Sequence, residues 1–240
     1  MRSPIALALT GFSLIAVTYG MARFSWGLML PAISAEIPFN PQQAGMLSAC
    51  SFVAYCLTIL TAAALADRYG TRLTALLASL SATAGLLLLA CASSTLLLAA
   101  GLFIAGLSAG LASPALAAAV SDRIPAAGQP RINTLINAGT SAGIILTVVI
   151  LSVLPGGWRA TCLLFALLSL ACVLPVMRVL SGHAASRPTR VRHWHQRLYR
   201  RSMHRLMSIA LISGLVSGAL GQRCCDSMSV WMKRPPAYSG

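Results

Sequence analysis

Long apolar runs alternate with short hydrophilic breaks along most of this chain. Six of them, at residues 8–32, 44–66, 73–91, 95–120, 132–154 and 160–177, have the length of bilayer-crossing helices. About 20 helical residues at ~1.5 Å rise cover the ~30 Å hydrocarbon layer. The pattern predicts an all-α polytopic membrane protein. Between the second and third runs stand only six hydrophilic residues, Asp67-Arg68-Tyr69-Gly70-Thr71-Arg72. So short a turn makes the two helices antiparallel neighbours. A seventh run, residues 206–221, stops after 16 residues, below the usual spanning length. Gln222-Arg223-Cys224-Cys225-Asp226 interrupts it. Continuing it through a buried Arg223–Asp226 pair would carry Lys233 and Arg234 to the outer side, so a broken span is expected, as from a truncated or frame-shifted reading frame.

Composition agrees with the pattern: 57% of the 240 residues are hydrophobic and 9% charged, with a mean hydropathy of +0.78. Soluble domains carry roughly a quarter charged residues. The net charge of +14 would suggest nucleic acid on a soluble surface. Here the basic residues lie in the connections between apolar runs, so the bilayer is the expected partner and nucleic acid is not. Arg2, Arg68, Arg72, Arg123, Arg131, Arg178 and the basic segment 181–205 fall on one side, and only Arg159 lies in the loops opposite. By the positive-inside rule the N-terminus is cytoplasmic. The expected organisation is a six-helix bundle over 1–180, a basic cytoplasmic linker over 181–205, and a partial seventh span with its tail over 206–240. The first apolar run, continuing to Ile33, exceeds a signal-peptide core and reads as a retained span.

Within the runs, a few polar residues carry the candidate chemistry. Arg23 lies about three residues past the midpoint of the first span, where a cation costs about 2.5–3.5 kcal/mol. It should therefore face protein or a wet cavity. Spacing of three and four places Tyr19, Arg23 and Trp26 on one helical face with Phe12 and Ala16. Arg23 either meets an anionic solute or a coupling carboxylate, or is satisfied by helix-end carbonyls or another helix. In the second span, Ala44, Ser48, Ser51, Tyr55, Thr58 and Ala62 form a small, polar stripe that is a packing seam or a cavity wall. Gly106 and Gly110 are spaced for close helix approach, and Pro114 is placed to bend the same span. Asn133, Asn137, Thr140 and Ser141 share a face of the fifth span, expected to look into the bundle because amides in lipid need partners. Trp158, in the turn Pro155-Gly156-Gly157-Trp158-Arg159, is expected at the membrane interface. The sixth span, apolar all round, is expected at the periphery.

Chemistry of other kinds finds little support. Cys50, Cys56, Cys91, Cys162 and Cys172 lie in or beside apolar runs and read as small hydrophobes. His193-Trp194-His195 lacks further ligands at metal-binding spacing. No nucleophile–base pair or phosphate loop stands out, so neither an enzyme nor a cofactor is expected.

The run Ala63 to Arg72, with Leu65-Ala66-Asp67-Arg68-Tyr69-Gly70-Thr71-Arg72, resembles the signature loop between spans 2 and 3 of the major facilitator superfamily, roughly G-x-L-A-D-R-x-G-R-[KR]. Ala63 replaces the leading Gly, and Thr71 one basic residue. Tyr19-Gly20 through Arg23-Phe24, Leu30-Pro31-Ala32 and Ile136-Asn137-Ala138-Gly139-Thr140-Ser141 are similar to a poorly characterised bacterial branch of these permeases. The resemblance implies the amino-terminal half of a twelve-helix transporter in the inner (plasma) membrane, a six-helix bundle built as a 3+3 repeat. Spans 1 and 4 would line the path, span 5 would flank it, and spans 3 and 6 would be outermost. Asp67, Arg68, Gly70 and Arg72 would form a gating motif on the cytoplasmic side; the alternative is a purely topological turn. Leu102 stands where many proton-coupled members have Arg, and neither Gly139 nor Gly143 precedes Pro. Neither the coupling ion nor the direction of transport follows. The implied function is secondary active transport of a small organic solute by alternating access, with a second half or a second copy as partner. The competing reading is a non-transporting relic or a membrane interaction module.

Overall fold

The structure is a computed structural model that describes residues 4–154 and 156–180. The basic linker at 181–205, the partial seventh span and tail at 206–240, and the His193/His195 pair lie outside the described residues. Among the described residues, six helices are long and apolar enough to cross a membrane: α1 (Pro4–Glu36), α2 (Pro41–Tyr69), α3 (Thr71–Ala90), α4 (Thr95–Arg123), α5 (Gln129–Val153) and α6 (Gly157–Val179). No strand occurs among the described residues.

Most helices extend past the apolar runs, and side-chain caps start two of them, α2 and α4. Asn40 accepts from the Gln43 amide at 2.8 Å, and the Gln43 side chain accepts from the Asn40 amide at 2.9 Å. With Pro41 at the first helical position, this reciprocal box starts α2. Ser94 caps α4 by accepting from the Leu97 amide. The expected six-residue turn is in fact a one-residue break. Asp67, Arg68 and Tyr69 finish α2, Thr71 and Arg72 open α3, and only Gly70 leaves the helix. Its φ of 88° is a region where an L side chain is strained. The Gly70 amide donates to Ala66 O at 2.9 Å and closes α2. In α6 the helix is interrupted at Cys172, three residues before Pro175, which cannot donate to the preceding turn.

Small residues decide which helices meet. α2 packs along α4 and α5 along α1, so helices 1–3 and 4–6 exchange roles as in a 3+3 repeat. A Cβ on Gly106 would collide with the Ser51 carbonyl, and one on Gly110 would stand 2.8 Å from Thr58 Cβ. At the equivalent seam, a Cβ on Gly139 would strike the Phe12 carbonyl, and one on Gly143 the Ala16 carbonyl. Gly139 and Gly143 have the same four-residue spacing as Gly106 and Gly110, the sequence signal for a second close seam. Pro114 lies inside α4.

The apolar core has two ends. Trp26, Ile33, Leu86, Leu98, Trp158 and Phe165 belong to one, and Leu14, Ala78, Leu116, Val120, Val176 and Leu180 to the other. Trp158 is 1% exposed: the helix begins at Gly157 and turns its indole into the core. Arg159 beside it is half-buried. It lies 4.3 Å over the Trp158 ring and donates to Glu36 at 3.0 Å and to Ala90 O at 2.9 Å. The α6 helix turns Leu163, Leu167, Leu170 and Leu174 outward, while its inner face packs on α3.

That inner face carries a polar clasp. Ser79 Oγ donates to Ser169 O at 2.5 Å, and Ser169 Oγ donates to Ser79 O at 2.9 Å. Interhelical hydrogen bonds in membranes contribute on average about 0.6 kcal/mol and up to about 2. Ser79→Ala and Ser169→Ala are each expected to cost about that much in unfolding measured in detergent. A double-mutant cycle should give a coupling of less than about 1 kcal/mol, because the two bonds use different donors and acceptors.

Candidate functional site

The middle of α1 departs from ordinary helix. Residues Ala16–Phe24 are wound as π-helix. Such wide turns are rare and recur at functional sites. The segment carries Tyr19 and Arg23, and Gly20 within it lets the Gly143 backbone approach closely.

Arg23 points among rings. Its guanidinium carbon lies 4.2 Å from the Tyr55 ring centroid, 4.5 Å from Phe52, 5.4 Å from Phe24 and 5.8 Å from Tyr19. Cation–π contacts supply about 0.5–2 kcal/mol each, enough together to offset much of the cost of a mid-membrane cation. They supply no hydrogen-bond acceptor. Arg23 forms no ion pair or hydrogen bond with any described residue, and its Nε is buried without a partner.

Two clefts open beside this cluster. The first, about 170 Å³, is lined by Arg23, Phe24, Trp26, Gly27, Ser48, Ser51, Phe52 and Leu102. Trp26 Nε1 donates to Ser48 Oγ at 3.0 Å, and its ring stacks near Phe39 at 6.4 Å. The Ser51 hydroxyl is buried without a partner. The second cleft, about 250 Å³, is lined by Ile15, Ser113, Leu116, Ala117, Asn133, Ile136 and Asn137. Asn137 Nδ2 donates to the Asn133 carbonyl at 2.9 Å. Tyr19 sits at the junction: its hydroxyl is 2.7 Å from Ser113 Oγ and donates to Tyr55 Oη at 3.5 Å. The rings of Tyr19 and Tyr55 meet edge to face at 6.1 Å.

Tyr19, Arg23 and Trp26 are thus brought together, and the α2 stripe serves both as seam and as cleft wall. Phe52 and Ser113 were not singled out by the sequence reading; apolar runs supply phenylalanines and serines at many positions, and only the packing selects these. The polar face of α5 is divided: Asn133 and Asn137 line the second cleft with residues of α1 and α4. Ile136, Gly139, Gly143 and Thr147 take the buried side, because the glycine seam on α1 sets the rotation of α5. Asn137 and Ser141 are exposed, Asn133 and Thr140 half-buried, and Thr140 and Ser141 line neither cleft.

The Asp67 motif lies at the end of the bundle that also holds Arg123 and Arg178. Asp67 and Arg68 are exposed and Arg72 is half-buried. Arg68 stacks 5.5 Å over the Tyr69 ring, while Asp67 has no ion-pair partner among the described residues. The carboxylate does not cap α3, whose N-terminus carries no side-chain cap. Arg123 Nη1 donates to Val179 O at 2.6 Å and ties α4 to the end of α6.

Comparison with known proteins agrees with this architecture. A crystal structure of a mutant of the peptide transporter POT in complex with sulfate superposes with a TM-score of 0.63 at 15% identity, over 90% of this chain and 45% of that one. Likeness at that identity concerns the fold, and this chain spans a little under half of that protein's length. No curated protein sequence matches the chain. The profile described as Major Facilitator Superfamily matches residues 12–233, nearly the whole sequence. On that match and that fold, the chain belongs to the major facilitator superfamily.

Proposed function

We propose that this chain is the solute-binding half of a secondary transporter in the inner membrane, with its N-terminus cytoplasmic. The observation that carries the reading is the pair of clefts separated by the Tyr19–Tyr55–Ser113 junction, with the lone cation Arg23 beside it. The clefts lie among α1, α2, α4 and α5, and α2 and α5 bury the smallest share of their apolar length. Their open face suits a partner, either a second six-helix half or a second copy of this chain. Rocking against that partner would expose the clefts alternately to the two sides. Asp67, Arg68, Gly70 and Arg72 then sit where the partner's cytoplasmic ends would meet them, and Asp67 brings an unspent charge to that contact.

A face that lines a water path differs from one that meets lipid. In a background lacking the seven native cysteines, Asn137→Cys is expected to react with a charged, membrane-impermeant thiol reagent. Leu167→Cys, on the outer face of α6 and 64% exposed in the bundle, is expected to stay unmodified in the same vesicles. Equal protection of the two positions would overturn the path.

A further inference from the structure

We propose that the cleft at Arg23 is a binding site for small organic monoanions, carboxylates with an apolar body of about benzene size. The inference rests on the transporter reading only for its biological use; binding itself depends on the cleft alone.

Three observations converge. First, of the three buried polar atoms without partners among the described residues, Arg23 Nε, Ser51 Oγ and Trp158 Nε1, the first two belong to residues lining this one cleft. A buried donor left unsatisfied costs about 1–3 kcal/mol, more when charged, so an acceptor entering here is favoured by the removal of that cost. An oxyanion accepts from both.

Second, the charge count is one. Arg23 is the only charged residue in the cleft lining, and Leu102 on the facing helix adds apolar wall. Glu36 is engaged by Arg159, and Asp67 and Asp122 stand in the terminal turns of α2 and α4. No described carboxylate therefore competes for the guanidinium. A monoanion balances the site, whereas a dianion would leave a charge unpaired in a low-dielectric region. A cation would meet Arg23 directly.

Third, the remaining wall is aromatic and apolar, from Phe24, Trp26 and Phe52. Its volume of about 170 Å³ compares with the roughly 150 Å³ apolar cavity that accepts benzene. An acid with an aromatic or branched body fills it; a sugar would leave hydroxyls against rings.

Isothermal titration of the full chain in nanodiscs with benzoate, benzamide and benzylamine tests the proposal. Benzoate is expected to bind saturably and at least tenfold more tightly than either analogue. Arg23→Gln should weaken benzoate at least tenfold with benzamide unchanged, and Arg23→Lys should restore part of the loss. Should Arg23→Gln fail to fold, Ser51→Ala, which removes only a hydroxyl, is expected to weaken benzoate severalfold. The proposal is overturned if benzoate does not bind, if benzamide or benzylamine binds as well, or if both Arg23→Gln and Ser51→Ala leave benzoate affinity unchanged. Failure here combined with flux of a neutral or cationic solute would reject the anion site and leave transport standing. Benzoate binding without flux of any solute would do the reverse.

Discussion

Gly106→Val is expected to cost about 3 kcal/mol or more in unfolding stability, at or beyond the upper end of ordinary overpacking. The reason is the obstacle. The atom nearest a Cβ at this position is the Ser51 carbonyl oxygen, with Ala54 Cβ at 3.0 Å behind it. Backbone cannot swing aside as a side-chain tip can, so α2 and α4 must separate along the seam. Separation would also lower Ser51 and Phe52 away from Arg23, so ligand binding should fall with stability. Gly45→Val supplies the control: nothing lies within 4 Å of its Cβ. That exposed change should stay within about 0.5 kcal/mol. Unfolding of the two variants in detergent, followed by circular dichroism, compares them directly, and similar midpoints would show that the seam is looser than described.

Arg23→Leu is expected to reduce solute flux by at least about 30-fold, since removing one partner of a desolvated, hydrogen-bonded charge pair costs about 2–5 kcal/mol. Stability should move the other way. The substitution removes a mid-membrane cation with about 2.5–3.5 kcal/mol of insertion cost and loses four ring contacts that, at about 0.5 kcal/mol each for a half-buried cation, return about 2 kcal/mol. An unchanged or raised unfolding midpoint together with lost flux marks a residue kept for function at the expense of stability. If Arg23 only braced the bundle, the midpoint would fall and any flux in surviving protein would persist.

Much of the fold was legible because the bilayer imposes a length on every apolar run, and six such runs are plain in the sequence. The GxxxG spacing of Gly106 and Gly110 pointed to a close seam on α4, since only absent side chains permit that approach, and the structure supplies α2 as its partner. The ends of helices were less legible. Asp67, Arg68 and Arg72 are hydrophilic, yet a helix leaving the membrane continues until a residue such as Gly70 releases its backbone. The burial of Trp158 was not legible: the start of α6 at Gly157 turns its indole toward the core. The face of α5 was legible in part: Asn133 and Asn137 line a cleft, and the glycines at 139 and 143 set the rotation that leaves Thr140 and Ser141 out of it. Arg23 could be found from its depth alone. Its ring cage could not, because Phe52 and Tyr55 come from another helix and are aligned only by the π-helical winding of Ala16–Phe24.

A transporter of this kind carries a small solute across a membrane. Purified chain reconstituted into sealed vesicles, given an imposed ion gradient and labelled benzoate, benzamide or benzylamine, tests it most directly. Saturable uptake above protein-free vesicles is expected, greatest for benzoate and lost in Arg23→Leu. Uptake of none of the three above the protein-free level would contradict it.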